Sequence, residues 1–348
     1  MWTIRTETVE LKKRYPLAIS RGVSYGSQNL FVFITDGQYE GVGEAAPGAG
    51  YDETLAPLAD AQLREHYPDG ELPTHSPVDL WSWNQERAIA SPAIAAIDMA
   101  LWDLLAQRAQ MPLYAMLGLS RRSVPTSVTI GLNPPEVTRE RVPEILSRTG
   151  GRSLKIKLGS PEGVDFDKVH FEAALEASAP FDVKLRVDAN GGWSVDTAKH
   201  MISWLAERGV DYVEQPLVQG AEKDLVHLHG GPLPIFVDES CRVSSDIPAW
   251  ATHVDGVNLK LMKCGGITEA LRIVATARAF GLQTMIGCMG ESSVAIGAGA
   301  ALGSLFDHID LDSHINLAPD PAEGLEWVAG RVLPREAPGH GASLRRAP

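Results

Sequence analysis

At seven places in this chain a short apolar run ends in a polar or charged residue that has no evident packing role. The series is Lys155/Lys157, Asp188/Asn190, Glu214, Asp238/Glu239, Lys260, Gly287 to Glu291, and Asp310/Asp312, and it recurs every 22 to 31 residues. A strand followed by a helix takes about 30 residues in a (β/α)₈ barrel, and such barrels place reactive groups at the C-terminal ends of their strands. The spacing therefore predicts a closed parallel barrel with a site laid out strand by strand.

A pass along the chain divides it into three. Residues 1–120 predict a small α+β capping domain: WTIRTETVEL and NLFVFIT read as an antiparallel hairpin joined by a long polar loop from Pro16 to Gln28. Ser91 to Leu117 reads as a helix with Ile94, Ile97, Leu101 and Leu104 on one face. Residues 121–312 predict the barrel, a modified (β/α)₇β form, with strand runs VPTSVTIG, LKIKLG, VKLRVDAN, DYVEQP, PIFVDES, DGVNLKLM, LQTMIGC and HIDLD. The segment 313–348 is rich in Pro and Gly and is expected to pack back on the capping domain.

Bulk properties restrict the function classes. The 348 residues, 44% of them apolar, suffice for a barrel plus an added domain. A formal net charge of −13 argues against nucleic acid or an anionic membrane as partner. Charges interrupt the N-terminal apolar runs, so no signal peptide is expected there, and the small-residue stretch from Thr284 to Phe306 reads as a strand and a helix. Three scattered cysteines suggest no disulfide framework and a reducing, cytoplasmic compartment. The sequence allows a homo-oligomer without specifying one.

Asp188, Glu214 and Asp238 end three successive strand runs, so they should share one mouth, where three carboxylates repel one another. A divalent cation resolves the repulsion, and an all-oxygen donor set suits Mg²⁺. Each acid alone could equally be a helix cap or a solvated loop residue; the series of three is what points to a metal.

In LKIKLG, Lys155 and Lys157 share one strand face and Leu154, Ile156 and Leu158 the other. The apolar face of a barrel strand meets the helices, so both amines point inward. Burial and like charge lower a lysine pKa, which would make one of them a neutral base near neutral pH. The same alternation in VNLKLMK turns Asn258, Lys260 and Met262 inward, which favours Lys260 over Lys263. The second and sixth strands of an eight-stranded barrel face each other. Two opposed bases on a metal-bound carboxylate substrate predict 1,1-proton transfer, that is, racemisation or epimerisation.

With GVGEAAPG at 41–48 and AAIDMALWDLLAQRAQMPLYAMLG at 95–118, followed by KIK, DAN, EQP, DES and KLMKCGG, the chain resembles the enolase superfamily, muconate-lactonizing subgroup, over essentially its whole length. The resemblance implies Mg²⁺ on Asp188, Glu214 and Asp238, an acid/base pair of Lys157 and Lys260, Lys155 tuning Lys157, and Asn190 and Glu239 in support. Asp310 and Asp312 resemble the DxD element by which dipeptide epimerases hold the free amino group of a dipeptide. Arg21 lies where L-Ala-D/L-Glu epimerases place an arginine for the glutamate carboxylate, so that substrate is the leading expectation. Thr129, Met289 and Glu291 could line the pocket.

Other signals are weaker. GAGAALG at 297–303 lacks the spacing of a dinucleotide fingerprint, and His308 and His314 lack zinc-ligand spacing. The stretch GCMGES offers no late histidine base, which disfavours an acid-sugar dehydratase. A cycloisomerase or o-succinylbenzoate synthase-like lyase on the same scaffold, and a non-catalytic metal-binding barrel, stand as alternatives.

Overall fold

The computed structural model describes residues 2–48 and 50–345. An antiparallel sheet of β1 (Thr3–Ile19), β2 (Gly22–Thr35) and β3 (Glu40–Ala45) opens the chain. Alternation along β2 gives the sheet two buried faces. Leu30, Val32 and Ile34 join a core with α1 (Leu55–His66), α2 (Pro77–Glu86) and α3 (Ser91–Arg108), whereas Phe31 and Phe33 pack with Leu11, Val42, Val294 and Leu317.

Two expectations change here. The segment from Pro16 to Gln28 is not a loop: β1 and β2 stay paired from Thr3 opposite Thr35 to Ile19 opposite Gly22, with a register shift between Lys12 and Leu17. Neither face of that far end enters a core, so its side chains carry no strand-like hydrophobic pattern, and cross-strand backbone bonds hold it extended. Helix α3 is also shorter and more buried than expected. Ile94, Ile97, Leu101 and Leu104 face the N-terminal core, but Ala95, Met99 and Ala106 belong to the barrel core. It ends at Arg108, and a separate short α4 (Leu113–Met116) begins after Pro112, whose missing N–H and fixed φ oppose a continuous helix. The glycines of GVGEA let β3 lie directly on α3: a Cβ on Gly43 would come within 2.0 Å of Ala96 O.

The barrel follows as β4 (Val128–Ile130), α5 (Pro135–Thr149), β5 (Ser153–Lys157), α6 (Val164–Ser178), β6 (Lys184–Asp188), α7 (Val195–Ala206), β7 (Val210–Glu214), β8 (Ile235–Val237), β9 (Gly256–Lys260), α8 (Leu261–Cys264), α9 (Ile267–Ala279), β10 (Gln283–Gly287), α10 (Ser293–Ala301) and β11 (His308–Asp310). The eight strands pair in parallel in chain order, and a bridge between Thr126 and Ile309 brings the first against the last. Outward residues such as Leu154, Ile156, Val187 and Leu259 fill the layer between sheet and helices.

Inside, the barrel is stratified. Tyr212, Phe236 and Met285 form a buried apolar cluster, with Tyr212 and Phe236 ring centroids 4.8 Å apart and His308 edge-on to both. Tyr212, Phe236 and Met285 each precede by two a strand-end position, Glu214, Asp238 or Gly287, so the apolar layer lies beneath the charged one. The chain then runs through β12 (Ala322–Glu323), β13 (Leu325–Val328), β14 (Arg331–Pro334) and β15 (Ser343–Leu344). Its buried His340 donates its backbone N–H to Asp103 Oδ1 at 2.8 Å and sets a ring nitrogen 2.8 Å from Val42 O. Among the described residues no helix is long and apolar enough to cross a membrane.

Candidate active site

Parallel pairing aligns the strand ends. Lys157 on β5 lies beside Asp188 on β6, Asp188 beside Glu214 on β7, and Lys260 on β9 beside Gly287 on β10, which in turn pairs with Asp310 on β11. The strand ends thus bring one ring of inward side chains to a single level. Asp188, Glu214 and Asp238 are fully buried, and one carboxylate oxygen of each lies within 4.8 Å of the others.

Lysines surround the acids. Lys155 Nζ is 2.6 Å from Asp310 Oδ2, 2.9 Å from Glu214 Oε2 and 3.4 Å from Asp188 Oδ2. Lys157 Nζ donates to Asp188 Oδ2 at 2.5 Å, and Lys260 Nζ to Asp238 Oδ2 at 2.7 Å. Strands β5 and β9 are four apart in the ring, so Lys157 and Lys260 approach the acidic trio from opposite walls. Gly287 leaves the room for this: a Cβ there would meet the Asn258 side chain at 2.9 Å and Lys260 Cε at 3.1 Å.

The electrostatics reverse the expectation of a lowered pKa for Lys155. Burial by itself lowers Lys155 and Lys260, but the carboxylates against each of them outweigh it and hold both well above the ordinary lysine value. A strand pattern shows the lysines as a like-charged pair; the acids that face them come from other strands. The reciprocal effect divides the acids. Burial would raise Asp188, yet Lys157 and Lys155 hold it at about 2, and Asp238 is likewise held down by Lys260 and Lys263. Glu214, for which burial dominates, is pushed up to about 8.

The donor set is all oxygen and lies within one ion's reach, which fits Mg²⁺. Glu214 adds a direct sign: its Oε2 is buried beside Lys155 Nζ without the alignment of a hydrogen bond. Its Oε1 accepts from Asn258 Nδ2 at 2.9 Å, so one oxygen is anchored and the other is left for a ligand.

The remaining expected residues cluster around this floor. Asp312 Oδ2 accepts the Thr129 backbone N–H at 2.6 Å, and burial together with the charge of Asp310 pushes its pKa up to about 7. Asn190 takes the left-handed conformation at φ 45°, where Asp188 Oδ1 accepts its N–H at 2.8 Å. Arg21 is engaged by the protein itself: it donates to Glu239 Oε1 at 2.7 Å and to Asn190 O at 2.8 Å. Met289 contacts the Gly48 turn, and Glu291, buried, accepts the Met289 N–H at 2.8 Å. All of these line or underlie one cavity of about 1180 Å³ between the hairpin and the barrel mouth.

Three contributors escape a strand-by-strand reading. Lys263, one turn beyond β9, donates to Asp238 Oδ1 at 2.6 Å, to Asn258 O at 3.0 Å and to the Asp238 carbonyl. Gln215 accepts the Asp238 N–H at 2.7 Å from a left-handed backbone at φ 37°. Glu44, fully buried in GVGEA, accepts from Asn29 Nδ2 at 2.6 Å and from Ser292 N and Oγ at 2.9 and 2.7 Å, joining β3 to the start of α10. The second lysine of KLMK and the glutamine of EQP were visible as motifs, but nothing local to them indicates that both serve Asp238.

Comparison with known proteins follows the same outline. Residues 1–118 match the model of the mandelate racemase / muconate lactonizing enzyme N-terminal domain, and residues 137–347 that of the enolase C-terminal domain-like family. A hydrophobic dipeptide epimerase of Roseobacter litoralis is 57% identical over 345 residues, covering 99% of each chain. One from a Flavobacteria bacterium is 57% identical over 97% of each. A dipeptide epimerase of Methylococcus capsulatus, solved with Mg and the dipeptide L-Arg-D-Lys, superposes with a TM-score of 0.89 at 32% identity, covering 97% of this chain and 98% of that one.

Proposed function

Because this chain belongs to the mandelate racemase and muconate lactonizing enzyme family, with its enolase-like C-terminal domain, we propose that it is a Mg²⁺-dependent dipeptide epimerase acting on hydrophobic dipeptides. The observation that carries this reading is the placement of Lys157 and Lys260 on opposite walls, each bonded to a different acid of one buried trio. An amine on either side of a reacting carbon is what inversion by two bases requires.

Asp188, Glu214 and Asp238 would hold the ion. When bound, Mg²⁺ would draw the carboxylates' charge away from the lysines and polarise the substrate's own carboxylate, so that the adjacent α-proton becomes acidic. One lysine Nζ then takes the α-proton of the C-terminal residue, and the opposed Nζ delivers a proton to the other face. Lys155, bonded to Asp310 and beside Glu214, keeps positive charge behind Lys157. Asp310 and Asp312 would receive the dipeptide's ammonium, with the Thr129 N–H holding Asp312 in place. Gln215 and Lys263 fix Asp238, and the packed layer of Tyr212 and Phe236 closes the floor to water.

The hydrophobic preference has two supports. The full-length relatives at 57% identity carry that name, and Arg21, the residue expected to receive a glutamate carboxylate, is already paired with Glu239. The three cysteines are unpaired, in keeping with a cytoplasmic protein. Incubation of a dipeptide library with Mg²⁺ in D₂O tests the function: deuterium should enter the α-carbon of the C-terminal residue with loss of configuration. Net dehydration or ring closure would assign a lyase or cycloisomerase instead, and no exchange an inert barrel.

A further inference from the structure

The hairpin of β1 and β2 turns back at Ser20 and Arg21 over the barrel mouth, and its tip is tied down by contacts that involve no substrate. Arg21 Nη2 donates to Glu239 Oε1 at 2.7 Å and Nη1 to Asn190 O at 2.8 Å, while Ser20 Oγ donates to the same carbonyl at 3.0 Å. Just before the turn, Ala18 O accepts the Leu132 N–H at 2.9 Å from the loop after β4. The anchors are not arbitrary surface groups. Glu239 directly follows Asp238, and Asn190 stands two residues after Asp188, which holds its N–H. The tip is thus fastened beside two of the three strand ends that carry acids of the trio, those of Asp188 and Asp238.

The pair also sets the charge beneath the tip. Ile19, Val23 and Met289 line the cavity beside Arg21. An arginine there would attract an acidic side chain, but its charge is met by Glu239, whose side chain is one-fifth exposed. We propose that Arg21 and Glu239 form a latch that holds the hairpin over the pocket and, by cancelling each other's charge, selects an uncharged side chain on the epimerised residue. The selective half of this role rests on the dipeptide epimerase reading; the latch does not.

Two variants test it. Glu239→Gln leaves Arg21 without its carboxylate, so KM for L-Ala-L-Glu should fall by about tenfold, the scale of one charge-assisted hydrogen bond, while KM for L-Ala-L-Leu rises. Arg21→Met should raise KM for L-Ala-L-Leu by about threefold and change kcat little, as expected of a half-exposed ion pair. In substrate-free protein, both variants should speed amide hydrogen exchange over residues 18–24 and leave the barrel strands unchanged. Unchanged exchange in the hairpin overturns the latch, and Arg21→Met decides this point even if Glu239→Gln does not fold. A Glu239→Gln enzyme that gains nothing on L-Ala-L-Glu overturns the selection. Failure of the wild type to act on any dipeptide would overturn the activity reading instead, and hydrogen exchange would still judge the latch.

Discussion

The floor of the cavity and the hairpin above it are built on different physics. At the floor, Lys155, Lys157, Lys260 and Lys263 and the acids they contact are nearly or fully buried, and each of these lysines bonds at least one carboxylate. At the tip, Val23 and Tyr25 are 55% and 73% exposed, and Arg21 is half open to water where it meets the partly buried Glu239. Removing one partner of a buried ion pair strands a charge at a cost of about 3–5 kcal/mol, whereas an exposed pair contributes about 1 kcal/mol or less. The floor therefore tolerates little change, and the tip can alter its contacts without endangering the fold. The proposed chemistry would therefore rest on the first region and the proposed choice of substrate on the second.

Variants that separate the two regions follow from that contrast. Lys157→Ala and Lys260→Ala should each lower turnover by about 10³-fold or more, read as dipeptide epimerisation, with circular dichroism unchanged; full activity in either would break the two-base mechanism. Lys155→Met should destabilise the protein by about 3–5 kcal/mol, measured by urea unfolding with a chelator present, because Asp310, Glu214 and Asp188 lose their shared cation. A loss no larger than that at the tip would erase the contrast.

The pH dependence probes the edge of the floor. Burial and Asp310 raise the Asp312 carboxyl to about 7, so it is protonated below that value and ionised above it. In the proposed role only the ionised form would complete the anionic pair for a substrate ammonium, so kcat/KM should climb as pH rises through about 7 and lose this limb in Asp312→Asn. A limb that survives the substitution would remove Asp312 from that role. The smallest effect belongs to the tip: Arg21→Met should shift unfolding by less than about 1 kcal/mol, and a larger loss would mean that the hairpin is part of the folding core.

Much of this was legible because barrel strands write their inward and outward faces alternately. Leu154, Lys155, Ile156 and Lys157 declare their sides without knowledge of any neighbour, and the spacing of Asp188, Glu214 and Asp238 declares adjacent strands. The hairpin tip is illegible for the converse reason: from Pro16 to Gln28 no face is buried deeply enough to impose a period, so extended structure there depends on pairing alone. Helix α3 looked one-faced because its small residues, Ala95 and Ala106, register as weakly hydrophobic although they pack against the barrel core.

The sequence by itself determined the strand order, the inward acids and lysines, and the family signature, since each depends on local alternation or on spacing along the chain. Only the tertiary structure decided which charges meet. Lys155 faces three carboxylates from three other strands, Lys263 supports Asp238, and Arg21 crosses from the hairpin to Glu239. Charge pairing acts through space at a few ångströms, and residues 25 to 218 positions apart are brought to that distance only by closing the barrel and folding the cap over it.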